Sequence, residues 1–409
     1  MPFLTALLVA LGVALAGNGS PAPQASQSQG EEVRALWVAR TSLTSPEAIA
    51  EMVSAARDAG FNTLLVQVRG RGDAYFSDGL EPRADTLARQ PESFDPLALA
   101  LRLAHEKKIR VHAWVNICLV SSAATLPESR DHIVHRHPEW LMVPRVLARD
   151  MALLDPHSLL YLEKLARWVR SQREDVEGLY LSPIPEGAAD RTAMVIADLL
   201  ARYPVDGLHL DYVRYPNDEF DYSREALLAF RADVLGSLQG AEREGRDREA
   251  GADLLAWPRM FPERWVNYRR ERLAHLVGRI RDSLRARRPA AILSAAVYPD
   301  AEAAAKSRLQ DWSGWLRGRL LDVVCPMAYA TDAPTFKKQV TAARKAAADN
   351  AVWAGIGAYR LSSSQTAENI RIARQLGASG IVLFSYDSLA NSEAGGSYLS
   401  RVSRETFGR

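Results

Sequence analysis

The first chemical signal in this 409-residue sequence is an acid at the end of an apolar strand. In the segment DGLHLDYVRYP, period-two alternation sends Leu208 and Leu210 to one face and His209 and Asp211 to the other. Burying an unpaired carboxylate is costly, so Asp211 needs a partner or a task. A carboxyl group placed there can donate or accept a proton, attack an anomeric carbon, or stabilise an oxocarbenium-like transition state. Arg214 and Tyr215 follow at once. Their neighbourhood is expected to keep Asp211 ionised, which favours a nucleophile or base over an acid.

The same parity turns Leu65, Gln67 and Arg69 inward on an earlier strand, with Asp73 in the GRGDAYF loop after it. On the next, His112, Trp114 and Asn116 share the inward face, and Tyr298, Tyr329, Tyr359 and Tyr386 fall at or near later strand ends. Sugars suit that mixture: aromatic faces cover their C–H surfaces, and carboxylates, amides and cations bind their polar groups. Trp114, Tyr298, Tyr329 and Tyr359 are therefore candidate sugar platforms. Gln67, Arg69 and Asn116 are candidate ligands for hydroxyl or carboxyl groups, and His209, Arg214 and Tyr215 complete the substrate-binding set. Core packing at a strand end is the competing role for each tyrosine.

Glycoside hydrolysis normally takes two carboxyl groups. Asp211 is the first, and Asp73 is preferred for the second over Glu186, Asp300, Asp332 and Asp387. A salt bridge to Arg69 is the competing role for Asp73. Other chemistries are weakly supported. His132, His135 and His137 lie close together in DHIVHRHPEW, but their spacing fits no common zinc signature. No GxSxG, P-loop or dinucleotide fingerprint is present. No metal or cofactor is expected.

The elements that must position these residues alternate regularly. Strand-like runs occur at 34–40, 63–69, 110–117, 207–213, 292–298, 322–329, 352–359 and 380–386. Between them, Ser45-Pro46 starts a helix that stops at Gly60, Asp95-Pro96 starts another, and Thr366 to Gly377 repeats the cap-and-stop pattern. Residues 263–288 place Leu273, Leu276, Val277, Ile280 and Leu284 at helical spacing. Eight strand–helix units predict a (β/α)8 TIM barrel with large insertions after strands three and four, at 119–203 and 214–262. Within the second insertion, the charged run EREGRDRE at 242–249 reads as a solvated helix end or loop.

Composition agrees with a large globular core: 47% hydrophobic and 24% charged residues. Lys and Arg number 51 against 49 Asp and Glu, a formal +2, so no strong field favours nucleic acid. Two cysteines, Cys118 and Cys325, exclude a disulfide framework. The apolar run 3–16, ending in ALA, reads as a secretory signal, although no basic residue precedes it. A Ser-, Pro- and Gln-rich linker fills 17–30, and the barrel is expected over 31–409. Export to the periplasm or the medium follows, with no transmembrane segment after signal removal.

The segments VRALWVAR, GFNTLLVQVRGRGDAYF, FDPLALALRLAHEKKIRVHAWVN, HPEW, LSP, YPVDGLHLDYVRYP and GIVLFSY occur in that order. Together they resemble the bacterial glycosyl-hydrolase-like family 10, from about Val33 to the end of the chain. The resemblance implies a glycosidase-like barrel associated with cell-wall or related polysaccharides. It places Gln67, Arg69, Asp73, Trp114, Asn116, Asp211, Arg214 and Tyr215 on the family's motifs. Where members show Pro-Gln before the sixth-strand aromatic, this chain has PMAY at 326–329. The resulting expectation is a glycoside hydrolase acting on a polysaccharide, with peptidoglycan glycan strands preferred. The alternative is a catalytically silent barrel that binds glycan as a recruitment module.

Overall fold

The computed structural model describes residues 31–122, 124–390 and 395–408. The strands are β1 (Val33–Val38), β2 (Thr63–Arg69), β3 (Arg110–Asn116), β4 (Leu119–Ser122), β5 (Gly178–Tyr180), β6 (Gly207–Asp211), β7 (Ile292–Val297), β8 (Val323–Ala328), β9 (Ala351–Ile356) and β10 (Gly380–Leu383). Eight of them form a closed barrel in the order β1-β2-β3-β6-β7-β8-β9-β10, every neighbouring pair parallel. All eight expected strand segments are found, and the fold is a (β/α)8 barrel.

Alternation along the strands separates two apolar layers. Leu36, Val66, Val115, Leu210, Leu293 and Ile356 pack in the large cluster shared with the surrounding helices. Ala35, Trp37, Leu65, Trp114, Cys325, Trp353 and Val382 form a separate cluster inside the barrel. Trp37 fits there because β9 carries Gly355, where a Cβ would stand 2.8 Å from the indole. The interior also holds polar groups. His209 accepts the Trp37 indole N–H at Nε2 (2.9 Å), so its Nδ1 carries the proton shared with Ser294 Oγ (2.9 Å).

Helix punctuation follows the sequence. Ser45 Oγ caps the helix Pro46–Asp58 and Asp95 caps Pro96–Glu106, each side chain accepting the N–H three residues on. The long helix Pro262–Arg287 buries all five residues named for its apolar face. One start is displaced: the helix Ser363–Gln375 is capped by Ser362 in a capping box. Thr366 is inside it, buried and bonded to the Tyr398 hydroxyl (2.6 Å). The pairing of Ser362 with Gln365 satisfies two terminal N–H groups at once and outcompetes the later start.

Both insertions leave the end of the barrel where β3 and β6 finish. In the first, β4 pairs antiparallel with β5; the helix Leu159–Ser171 lies between them in the chain and Glu186–Arg202 comes after. The second carries Arg224–Ser237, Gly240–Ala250 and Ala256–Met260, which pack a smaller cluster around Phe230, Trp257 and Trp265. The charged run 242–249 is helical, in Gly240–Ala250. Among the described residues, no helix is long and apolar enough to cross a membrane. The expected signal and linker, 1–30, lie outside the described residues.

Candidate active site

Asp211 is the last residue of β6 and opposes Asn116 at the end of β3. The chain then turns sharply, with Tyr212 at φ 48, a left-handed conformation that an aromatic residue rarely adopts. That turn aims the Tyr212 N–H at Asp211 Oδ1 (2.6 Å), and Arg214 Nη1 donates to the same oxygen (3.2 Å). Asp211 is only 7% exposed. Burial pushes its carboxyl above the ordinary aspartate value, and Arg214 and the Tyr212 amide pull it back only in part. Arg214 and the Tyr212 amide favour the ionised form, as expected, but desolvation opposes them and is the larger effect. Burial by itself would lower the Arg214 guanidinium, but the Asp211 carboxylate together with Tyr180, Tyr212 and Tyr298 outweighs it and the group stays charged.

Asp211 lines a cavity of about 290 Å³ at this end of the barrel. Trp37, Trp114, Tyr212, Met327, Tyr329 and Phe384 supply its apolar walls, and Arg40, Gln67, Arg71, Asn116 and Arg214 its polar ones. Tyr329 stacks with Phe384 (5.5 Å between centroids), and Trp37 meets both edge-on (6.3 and 5.9 Å). The amides are tied together: Trp114 Nε1 donates to Asn116 Oδ1 (3.1 Å), Asn116 Nδ2 to Gly70 O (2.6 Å), and Arg40 Nη1 to Gln67 Oε1 (3.1 Å). A buried carboxyl, a fixed guanidinium, two anchored amides and an aromatic enclosure form a site that can bind a sugar and move a proton to or from it.

Of the residues singled out in the sequence, Gln67, Trp114, Asn116, Asp211, Arg214 and Tyr329 meet in this cavity. Asp73 lines an adjoining cavity of about 270 Å³, and its Oδ1 accepts the Arg71 N–H (2.8 Å). Arg69 does not reach either space. Its guanidinium makes a two-point salt bridge with Glu81 (2.7 and 2.6 Å) and donates to the Asn116 carbonyl. The reason is a register shift between Gln67 and Arg69, which sets Arg69 opposite Val115 of the outer layer. Tyr215 is fully buried, with its hydroxyl on Arg269 O (3.4 Å), and His209 lies below the cavity as the support for Trp37. Tyr298 has the Arg214 and Arg308 guanidiniums over its ring (5.4 and 5.2 Å), and Tyr359 is 48% exposed, edge-on to Tyr329.

The remaining acids weighed for a second carboxyl have other tasks. Asp300 and Asp332 cap helices, Glu186 pairs with Arg272 and Arg279, and Asp387 accepts bonds from Ala39, Thr41 and Ser42. The three histidines are dispersed onto Arg71 O, Pro127 O and Glu139. Trp37, Arg40, Arg71, Tyr212 and Phe384 were missed. Inward parity on β1 would have found Trp37, but the loop residues carry no periodic signal.

Comparison with known proteins agrees with this picture. Over 225 residues the chain is 22% identical to "Glycosyl hydrolase DigH" of Escherichia coli K12, covering 47% of this chain and 44% of that protein. It is 23% identical over 209 residues to "Glycosyl hydrolase YngK" of Bacillus subtilis 168, covering 47% and 35%. The matches thus span less than half of either relative's length. In fold it is similar to the PgaB (BpsB) glycoside hydrolase domain of Bordetella bronchiseptica, with a TM-score of 0.61 at 15% identity over 91% of this chain and 99% of that one. It also resembles α-L-fucosidase isoenzyme 2 of Paenibacillus thiaminolyticus, with a TM-score of 0.60 at 15% identity over 92% and 49%. Residues 32–372 match the family described as Glycosyl hydrolase-like 10, and the chain belongs to that family.

Proposed function

We propose that the protein hydrolyses O-glycosidic bonds in a polysaccharide, with peptidoglycan glycan strands as the preferred substrate class and Asp211 at the reacting centre. The observation that carries this reading is a single buried carboxyl facing an aromatic-walled cavity at a barrel strand's C-terminal end. Among the described residues, Asp211 is the one acid lining that cavity. Its raised pKa suits the general acid: the carboxyl protonates the departing glycosidic oxygen, and Arg214 stabilises the carboxylate left behind. Water attacks the anomeric carbon and gives its proton to a second carboxylate, for which Asp73 in the adjoining cavity is the proposed base.

Glu177 is a second reading for that base. Its Oε1 lies 3.9 Å from Arg214 Nη2, and its charge is among those acting on Asp211. Release of reducing ends from purified glycan strands tests the set. Asp211→Asn is expected to lower kcat by about 10²- to 10⁴-fold with a folded protein. Of Asp73→Asn and Glu177→Gln, the larger loss marks the base. If the wild type binds strands without cleaving them, the barrel is a glycan-binding module and the hydrolase reading fails. Export is proposed from the apolar run 3–16. Secreted material that still begins at Met1 would overturn it.

A further inference from the structure

Two arginines stand where the two cavities meet, and no acid in either wall is paired with them. Arg40 and Arg71 line both the Asp211 cavity and the adjoining one. Arg40 is held in place: its guanidinium donates to Gln67 Oε1 (3.1 Å), and its stem passes over Gly70, where a Cβ would come within 2.7 Å of Cδ. Arg71 is clamped only through its backbone. Its N–H donates to Asp73 Oδ1 (2.8 Å), and its carbonyl accepts from His132 Nε2 (2.8 Å). The His132 Nδ1 accepts the Val134 N–H, which fixes the proton on Nε2. The Arg71 guanidinium itself has no hydrogen bond or ion pair among the described residues. Burial and the charge of Arg40 both lower its pKa.

Holding two like charges together in a partly desolvated wall is unfavourable unless an anion joins them. Asp73 lends Arg71 some compensation, but no Asp73–Arg71 ion pair forms and one Asp73 oxygen is taken by the backbone. Asp85 also lines the second cavity, but it forms no ion pair with Arg40 or Arg71 among the described residues. A planar carboxylate could accept from both guanidiniums at once, which a neutral hydroxyl cannot match in strength. We propose that Arg40 and Arg71 form an anion subsite for a carboxylate borne by the glycan, on the sugar that occupies the junction beside the one held over Asp211. The inference rests on the glycan reading above and adds the chemical class of sugar that the cleft selects.

Sugar carboxylates come from a lactyl ether or from a uronic acid, so three probes are needed. They are peptidoglycan glycan strands freed of peptides, the same strands with carboxyls reduced to alcohols, and oligogalacturonate. Binding to Asp211→Asn, which still contains Trp37 and Trp114, is read by quenching of tryptophan fluorescence. The expected result is binding of at least one acidic probe about tenfold or more tighter than the reduced strands. The acidic probe that binds better identifies the source of the carboxylate. Adding Arg71→Gln should collapse that ratio, and Arg71→Lys should restore part of it. Equal binding of acidic and reduced probes, or binding of none, overturns the subsite, as does a ratio that survives Arg71→Gln in a folded protein. Turnover by the wild type is scored separately: a normal ratio without any cleavage overturns the hydrolase and leaves the subsite standing.

Discussion

At the scale of single residues, burial raises the Asp211 carboxyl while Arg214 and the Tyr212 amide lower it, and burial is the larger effect. A general acid works only while protonated, so kcat/KM should fall as pH rises through its raised pKa. The pH–rate profile is expected to show an alkaline limb above the ordinary aspartate value of 3.8. A profile that rises through that region would assign Asp211 as the base instead. His209 gives the complementary case for stability. Burial, helped by the charge of His112, lowers its pKa to about 3. The unfolded chain therefore binds the proton more tightly, and His209's contribution is complete above about pH 6.5 and is lost as pH falls towards 3. Each unit of acidification in that window should cost about 1.4 kcal/mol from this group. Urea midpoints at pH 7 and pH 5 check it, with His209→Asn showing a shallower decline than the wild type.

At the scale of elements, β2 decides what its side chains can do. Gln67 and Arg69 are two residues apart, and an unbroken strand would turn both into the barrel. The register shift between them puts Arg69 opposite Val115 instead of Asn116, and its guanidinium is spent on Glu81 and the end of β3. Side-chain exposures of 2% and 6% make this a buried pair. Removing one partner strands the other charge, so Glu81→Gln should destabilise the fold by about 3–5 kcal/mol, measured by urea denaturation. A near-neutral stability change with a raised KM would instead make Arg69 a substrate ligand. Arg71, two residues beyond the shift, takes the position in the cavity wall that parity had reserved for Arg69.

At the scale of the molecule, the closed sheet holds one end of eight strands around the cavity, and both insertions leave from that end. The arrangement proposed here is one barrel carrying two excursions, with no independently folding halves. The helix Gly240–Ala250 contributes a single buried residue, Ala250, to the packing. Limited proteolysis should nick within 240–253, and the fragments should elute together on gel filtration. Separation into two folded pieces would overturn the arrangement.

The alternation of apolar runs with capped helices was legible residue by residue, because strand and helix periods and their stop signals are local. Asp95-Pro96, the apolar face from Leu273 to Leu284, and all eight barrel strands were visible in this way. Parity likewise aimed Gln67, Trp114, Asn116 and Asp211 at the barrel interior, since alternation is also local. The sign of the Asp211 pKa shift was not legible, because it depends on how much solvent the folded walls exclude. Nor was the partner of Arg69: one extra residue in the ladder reverses facing, and nothing in TLLVQVR marks where it occurs. Arg40, Arg71 and Phe384 reach the cavity from beyond the strand ends, where no period constrains direction, so only closure of the barrel brings them to Asp211.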